Sequence, residues 1–327
     1  MSCTSAKECP STSTVSVFTE CFASPPEPRF HESQSSITAE LLQDYLELLT
    51  TKNEATINSA TPGVTTLFKD QNTVLFLFEL CRHLGLTPDV QYRAVELFHR
   101  FMIGHIEELY SHVQSSAETS SPITWRDVEE RLKHQVTLRA VSCVQLASKL
   151  SSHYHLVTLN RARVFLSKCG FRYAATSIVQ SEVRVLKTIK FRVHNPTPLE
   201  FIETLLGALD SEDDSLPVMQ LHGISLKLLD IFYLSRESIF TNFAKLIKSR
   251  NNTRPEEIEK LISVLCVDSM LLAAAIITSA SLVIYEAIDT QWLISALCEA
   301  AGVESRDIID YSLVLMQEVF SGDDSDT

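Results

Sequence analysis

Residues 138–150, Leu-Arg-Ala-Val-Ser-Cys-Val-Gln-Leu-Ala-Ser-Lys-Leu, decide the fold class of this chain. In and just before this stretch, small or apolar side chains recur at intervals of four, three, four and three residues: Val136, Ala140, Cys143, Ala147 and Leu150. This spacing is that of one face of an α-helix. Because Val144 and Leu146 widen the stripe, we predict a helix over 134–151 that is buried on more than one side.

The composition favours a helical protein over other fold classes. Eight glycines in 327 residues are about a third of the usual share of roughly 7%. Glycine supplies the positive φ of tight turns and phosphate-binding loops, so its scarcity argues against hairpin-rich and nucleotide-binding folds. With 45% hydrophobic and 21% charged residues, the chain has the proportions of a soluble globular protein and enough length for two domains.

Helical patterns continue on both sides of the central helix. Further helices are predicted over 65–84, from Thr87 and Pro88 onward, over 158–169 and over 174–190, which gives five in the first compact region, 64–206. Thr197-Pro198-Leu199-Glu200 is a capping box that starts a new helix. A second series of five helices is predicted over 218–234, 238–249, 256–286, 291–301 and 305–320. A break of the third of these helices near Asp268 is left open. The sequence therefore predicts an all-α fold of two tandem five-helix domains.

The remaining segments flank or interrupt these domains. Residues 1–36 hold thirteen Ser or Thr and four Pro, and we predict a disordered tail because such a segment buries too little apolar surface to offset its ordering entropy. Residues 37–63 are predicted to form a short amphipathic helix and linker, with the helix packed across the first domain. The insertion 111–133 is either a functional loop or partly disordered. The second domain, 207–327, ends in an acidic tail, and Ser24-Pro25 and Ser121-Pro122 fit proline-directed phosphorylation.

Sequence patterns for catalysis or metal binding are scarce. The chain has no phosphate-binding glycine loop, H-E-x-x-H or G-x-S-x-G motif, and its eight cysteines form no C-x-x-C pair. We therefore predict no catalytic site, metal or cofactor. His153-Tyr154-His155 is interpreted as a surface loop, and His99 and Cys143 as core or groove residues.

The most apolar stretch of the chain is interpreted as part of a soluble fold. The uncharged run 269–285 is shorter than the roughly twenty apolar residues of a membrane span. We predict a buried core helix there and no membrane partner. The first residues lack the pattern of a signal peptide, which favours an intracellular setting.

Three segments resemble the second, third and fifth helices of a cyclin box, in the correct order. They are 95–102, 138–150 with its Ala-Ser-Lys, and 181–191 followed by the exit 196–201. The chain is thus similar to the cyclin family over about 140 residues. The resemblance implies a cyclin N-terminal domain over 64–206 and a divergent C-terminal cyclin-like domain, in which 268–275 is similar to the small-residue central helix.

Within the cyclin family, residues 137–150, 195–199 and 203–206 resemble the cyclin N-terminal domain-containing protein 1 family, a divergent meiotic branch. This resemblance implies a non-enzymatic regulator of meiotic recombination that promotes crossover designation and maturation through protein partners, with a link to cell-cycle progression. The implied partners are subunits of replication factor C, a proline-rich crossover factor and a ubiquitin-conjugating enzyme. The implied location is the nucleus, on meiotic chromosomes, and also the cytoplasm, with DNA contacted indirectly.

The chain departs from kinase-activating cyclins in the buried charge network that the resemblance implies. Those cyclins carry Met-Arg-Ala-Ile-Leu in their first helix, and here 69–73 stands in that place, with His99 where an aspartate is usual. Only Lys149 and Glu182 match, and they either pair with each other or contact a partner. Because a network cannot lose half its charges and keep its geometry, docking of a cyclin-dependent kinase is in doubt. An activating kinase subunit and a DNA-binding factor with two cyclin folds remain the alternatives.

The charge distribution supplies the candidate partner-binding residues. The net charge of −13 excludes a globally basic nucleic-acid binder, but nine basic residues stand against one acid between Lys149 and Arg192, and 251–327 sums to −11. The basic run could face DNA, an acidic partner or no partner. The candidate residues are Lys149, Arg161, Arg163, Lys168, Arg172, Glu182, Arg184 and Lys187.

Overall fold

Thirteen α-helices make up the described part of the chain, which contains no strand. The computed structural model describes residues 30, 38–64, 67–116, 125–152, 154–213, 215–250, 254–284 and 290–321. In chain order the helices are α1 Ala39–Asn58, α2 Gln71–His83, α3 Pro88–Ser116, α4 Trp125–Ser151, α5 Leu159–Lys168, α6 Ala175–Thr188, α7 Pro198–Glu212, α8 Val218–Leu234, α9 Arg236–Arg250, α10 Pro255–Leu265, α11 Ser269–Ile284, α12 Thr290–Ala301 and α13 Ser305–Ser321. The predicted all-α fold is confirmed.

Helices α2 to α6 form the first bundle, with α4 at its centre. Residues 140–148 of α4 are all buried, and α4 packs mainly on α3 and α6. This confirms that the helix is buried on more than one side. Helix α2 begins later than predicted, at Gln71, because the Asp70 carboxylate accepts a hydrogen bond from Thr73 N at 3.1 Å and caps the helix.

The predicted insertion 111–133 is largely helical. Helix α3 continues to Ser116 and α4 begins at Trp125, so two long helices replace most of the expected loop. The added turns of α4 are stabilised by the buried Val128 and by a pair between Glu129 and Lys133, one turn apart at 2.8 Å. Residues 117–124, including Ser121, lie outside the described residues.

Helices α7, α8, α11, α12 and α13 form the second bundle around α11, and they make up a second cyclin-like unit. Helix α7 crosses the predicted boundary at 206 and packs chiefly on α11 and α1, with α8 next. The predicted helix 256–286 is two helices, α10 and α11, because the Asp268 carboxylate accepts from Leu271 N at 3.0 Å and starts α11 anew. Helices α9 and α10, which lie between α8 and α11 in the chain, pack on each other.

Helix α1 packs on the second bundle, whereas the sequence predicted packing across the first. Its buried leucines Leu42, Leu46 and Leu49 lie on the side that faces α7, its main contact. Asn53 adds polar contacts to α11: its Nδ2 donates to Asp268 Oδ1 at 2.9 Å, and its Oδ1 accepts from Ser269 N at 2.9 Å. The side chain of Asn53 thus reaches the start of α11 from a helix that precedes the first bundle.

The apolar run 269–285 lies in the protein core as predicted, as far as the described residues reach. Residues 270–281 of α11 are all buried. Among the described residues, no single helix is long and apolar enough to cross a membrane, and the one helix pair that passes by length and composition, α10 with α11, is bent by 75°. Several predictions concern residues outside the described ranges. These residues are the predicted tail 1–36 apart from Phe30, which includes Ser24, together with His153 and the last six residues.

Candidate partner surface and interbundle cleft

Lys149 and Glu182 form an ion pair that joins α4 to α6. The Lys149 side chain is 45% exposed and that of Glu182 is 17% exposed. The two residues that match the kinase-activating pattern therefore contact each other at the surface. A pair this exposed contributes little to stability, so both charges remain available to a partner.

Apolar side chains surround this pair on the same two helices. Leu150 on α4 and Val179 and Val183 on α6 are 42%, 46% and 41% exposed. We call Lys149, Leu150, Val179, Glu182 and Val183 the α4–α6 face. A cluster of apolar side chains beside charged ones is typical of surfaces that bind partner proteins.

Two of the predicted partner-binding arginines are engaged within the protein. Arg161 donates from Nη2 to Leu84 O at 2.5 Å and from Nη1 to Leu156 O at 3.1 Å, which ties α5 to the end of α2. Arg184 on α6 pairs with Glu108 on α3 and lies 3.3 Å from His105 Nδ1. These two side chains hold elements of the first bundle together.

The other four basic candidates are exposed. Arg163, Lys168, Arg172 and Lys187 form no ion pair with any carboxylate that the structure describes. Arg163 and Lys168 are five residues apart on α5, which places them about 140° apart around the helix axis. The basic surface therefore wraps around α5 and does not form one stripe.

A buried ion pair that sequence reasoning missed lies between the bundles. Lys69 Nζ lies 2.7 Å from Glu96 Oε1 and 2.8 Å from Oε2, and Tyr233 OH on α8 donates to Glu96 Oε1 at 3.0 Å. Burial alone would raise the pKa of the Glu96 carboxyl, but the charges of Lys69 and of nearby Arg236 hold it at about 2. The available signal was polar residues at one-turn spacing, Tyr92, Glu96 and His99, on an otherwise apolar helix.

His99 replaces the expected aspartate with a neutral group. Burial and the charge of Lys69 lower the pKa of His99 to about 3, and its Nδ1 lies 2.5 Å from Leu67 O. A neutral imidazole with Nδ1–H donating to that carbonyl fits both observations. Position 99 thus carries no charge at neutral pH, and the buried ion pair beside it is Lys69–Glu96.

Glu200 connects three helices near the same junction. Its Oε1 accepts from Arg93 on α3 at 2.6 Å and its Oε2 from Tyr45 on α1 at 3.0 Å. Its Oε1 also accepts from Thr197 N at 3.3 Å, so the predicted capping box at the start of α7 is present. The helix cap is therefore also a junction between the bundles.

The titratable side chains offer no activated nucleophile in the described core. Cys143 is fully buried, and burial raises the pKa of its thiol, while burial raises the pKa of Cys81 to about 12. Both thiols are protonated at neutral pH and so are poor nucleophiles. Over the described ranges no group of three His, Cys, Asp or Glu side chains could hold a metal ion.

Comparison with known proteins identifies relatives of the whole architecture. Residues 44–194 match the family model of the cyclin N-terminal domain. Proteins named Cyclin N-terminal domain-containing protein 1 from Mus musculus and Homo sapiens are 33% and 32% identical to this chain over 284 residues. Each alignment covers 86% of this chain and 84% of the relative. The similarity to these relatives therefore extends past the first bundle into the second.

Proposed function

Because the chain belongs to the cyclin family and is related to cyclin N-terminal domain-containing protein 1, we propose that it is a non-enzymatic regulator of meiotic recombination. It promotes crossover designation and maturation by binding other proteins. The observation that carries the binding role is the α4–α6 face, where three exposed apolar side chains lie beside the Lys149–Glu182 pair. A partner helix with apolar and charged side chains would fit this face.

The exposed basic residues extend the proposed binding surface toward an acidic partner. Arg163, Lys168, Arg172 and Lys187 lie on α5, α6 and the connection between them. Subunits of replication factor C, a proline-rich crossover factor and a ubiquitin-conjugating enzyme are the proposed partners. The proposed location is the nucleus, on meiotic chromosomes.

Affinity capture from meiotic tissue, followed by mass spectrometry, tests this function. The bait is the full chain with Val179→Glu and Val183→Glu, compared with wild type. We expect the variant to lose at least one of the proposed partners, because two carboxylates would replace the apolar contact and lose their hydration when a partner covers them. Recovery of none of these partners with the wild-type bait would contradict the meiotic role.

The matched control is Met219→Glu on α8, which places a carboxylate on an equally exposed apolar position (49% exposed) of the second bundle. It should retain every partner that wild type captures. Equal capture by the face variant and by wild type would show that partners bind elsewhere. Circular dichroism at 222 nm checks that each variant keeps its helices.

A second candidate function is activation of a cyclin-dependent kinase. It is favoured by the surface pair of Lys149 and Glu182, the two residues that retain the pattern of kinase-activating cyclins. The test is whether a kinase dominates the captured proteins and gains activity when it is mixed with the purified chain. A variant with Lys149→Glu and Glu182→Lys should lose that activation, and inert wild-type mixtures would eliminate the candidate.

A further inference from the structure

A cleft of about 710 Å³ opens between the two bundles, away from the α4–α6 face. Its walls come from α1, α3, residues 191–196 after α6 and the turn 266–268 between α10 and α11. Its charged lining consists of Lys52, Lys69, Arg100, Arg192, Arg236, Glu96 and Asp268. Positive charges thus outnumber carboxylates by three in a protein whose net charge is −13.

Both carboxylates in the cleft are already occupied. Glu96 accepts from Lys69 and from Tyr233. Asp268 accepts from Asn53 Nδ2 at 2.9 Å and caps α11 through Leu271 N. Neither carboxylate forms an ion pair with Lys52, Arg100, Arg192 or Arg236.

Four cations therefore surround the cleft without a bonded counterion. Lys52, Arg100, Arg192 and Arg236 form no ion pair within the part of the chain that the structure describes. Arg236 is only 5% exposed, and its guanidinium is 5.1 Å and 5.2 Å from the ring centroids of Phe232 and Phe240.

The hydrogen bonds of these arginines are also incomplete. Arg236 donates from Nη2 to Cys266 O, but its buried Nε has no acceptor among the described residues, and neither has the buried Nη1 of Arg100. A buried guanidinium without a counterion is costly. Arg100 Nη2 donates to Arg192 O at 2.7 Å, so this guanidinium is held at the wall of the cleft. An anion in the cleft would lower the cost of burial, because Lys52, Arg100, Arg192 and Arg236 all line it.

An exposed aromatic side chain stands at the same cleft. Phe191 is 65% exposed, and both Lys190 and Phe191 have positive φ, 55° and 57°. Phe191 N donates to Leu186 O at 2.8 Å, which fixes this strained end of α6. Non-glycine residues in this region of φ are uncommon and cluster at functional sites. The backbone thus holds a phenyl ring beside the cations.

We propose that this cleft binds a phosphoserine or phosphothreonine side chain of a partner protein. The phosphate carries a charge of about −1.5 to −2 and three acceptor oxygens, which matches the excess of cations. Phe191 supplies apolar contact to the peptide that carries the phosphate. The cations line one half-open cleft, and the net charge of −13 repels a long polyanion such as DNA.

Fluorescence anisotropy with the full-length chain tests this proposal. The probe is a fluorescein-labelled pool of degenerate heptapeptides with a central phosphoserine, compared with the same pool carrying serine. Wild type should bind the phosphorylated pool at least about tenfold more tightly, because charge-assisted hydrogen bonds to phosphate are strong. The double variant Lys52→Glu and Arg192→Glu should lose that preference.

The matched control carries the same charge change outside the cleft, at Lys227→Glu and Lys248→Glu, both exposed. It should bind the phosphorylated pool within about twofold of wild type. A second cleft variant, Lys52→Gln and Arg192→Gln, removes both charges without adding carboxylates and should show the same loss if the first one misfolds. Equal binding of both pools by wild type, or equal binding by cleft and control variants, would overturn the proposal. Cleft-dependent binding of a 20-base-pair DNA duplex that is tighter than that of the phosphorylated pool would overturn it too.

Discussion

Glu200 joins three elements at the scale of a single side chain. Its carboxylate accepts hydrogen bonds from Arg93 on α3, from Tyr45 on α1 and from Thr197 N at the start of α7. Arg93 is only 7% exposed, so its charge depends on this partner and on the more distant Asp89 at 3.5 Å. Loss of the Glu200 charge would leave a buried guanidinium poorly compensated.

We expect Glu200→Gln to lower the free energy of unfolding by about 3 kcal/mol, because it breaks a buried ion pair while keeping the shape of the side chain. Urea unfolding followed by circular dichroism measures this change. Glu203→Gln, on the same helix, removes a more exposed pair with His222 at 3.0 Å and should cost less than about 1 kcal/mol. Equal losses in the two variants would show that Glu200 has no special role.

His99 makes the stability of the protein depend on pH. Its pKa is lowered from 6.5 to about 3 by burial and by Lys69, so the unfolded chain binds a proton that the folded chain rejects. The stability that comes from keeping His99 neutral is fully present above pH 6.5 and is lost as the pH falls toward 3. As the pH falls below about 6, the loss for His99 alone approaches about 1.4 kcal/mol per pH unit.

In the variant His99→Asn, the free energy of unfolding should fall less on acidification, by the contribution of His99. Asn keeps an N–H for Leu67 O but does not titrate. The measurement is the free energy of unfolding in urea at pH 7 and pH 5.5. His105, whose pKa is lowered to about 4 by burial and by Arg184 and Arg139, continues to contribute in both proteins. His83→Asn, at an exposed position, should keep the wild-type slope, and a His99→Asn slope equal to wild type would contradict the assignment.

At the scale of elements, helices with a strong apolar period and a clear cap were predictable. The capping box at Thr197 and the buried stripe of α4 follow from local spacing in the sequence. The helical turns at 125–133 were missed because their sequence is mostly polar, and the single buried Val128 stabilises them through tertiary packing. The break at Asp268 could only be left open, because its local cap is accompanied by a hydrogen bond from Asn53, which is 215 residues away.

The candidate site was predictable only in part, for the same reason. Lys149 and Glu182 were found as a pair because the family pattern names both positions. The internal bonds of Arg161 to Leu84 O and of Arg184 to Glu108 depend on partners 77 and 76 residues distant. The cleft combines residues from segments that lie more than 200 residues apart in the chain, such as Lys52 and Asp268, so no local pattern marks it.

The end of α6 offers a test of the strain assigned to it. Lys190→Gly should raise the free energy of unfolding by about 1 kcal/mol, because glycine adopts positive φ without the Cβ clash. Lys187→Gly, inside α6 and exposed, should lower it by about 1 kcal/mol through lost helix propensity. Both values come from urea unfolding. A destabilising Lys190→Gly would show that the left-handed conformation carries no strain.

At the scale of the whole molecule, the two bundles share one interface. Tyr92 on α3 stacks on Tyr233 on α8 with ring centroids 5.3 Å apart, and its OH donates to Asp230 at 2.7 Å. Helix α1 adds Asn53 at the start of α11, and Glu200 adds its contacts to α1 and α3. We therefore expect the bundles to unfold together.

Differential scanning calorimetry should show one transition for the full chain. Asn53→Ala should lower its midpoint by about 2–4 °C, because Asp268 and Ser269 N each lose a hydrogen-bond partner. The variant should still unfold in one step. Asn58→Ala, at the exposed end of α1, should leave the midpoint within about 1 °C. Two separate transitions in the wild-type scan would disprove the shared interface.

The position of α1 also has a consequence for synthesis on the ribosome. Leu42, Leu46 and Leu49 leave the exit tunnel early, but Glu200 lies 155 residues after its partner Tyr45, and Asp268 lies 215 residues after Asn53. At about 5–20 residues per second, the ribosome needs roughly 10–40 s to deliver these contacts. During that interval the apolar side of α1 has no native surface to cover it. We therefore expect the apolar side of α1 to stay exposed on the nascent chain until the residues of α7 and the start of α11 have been synthesised.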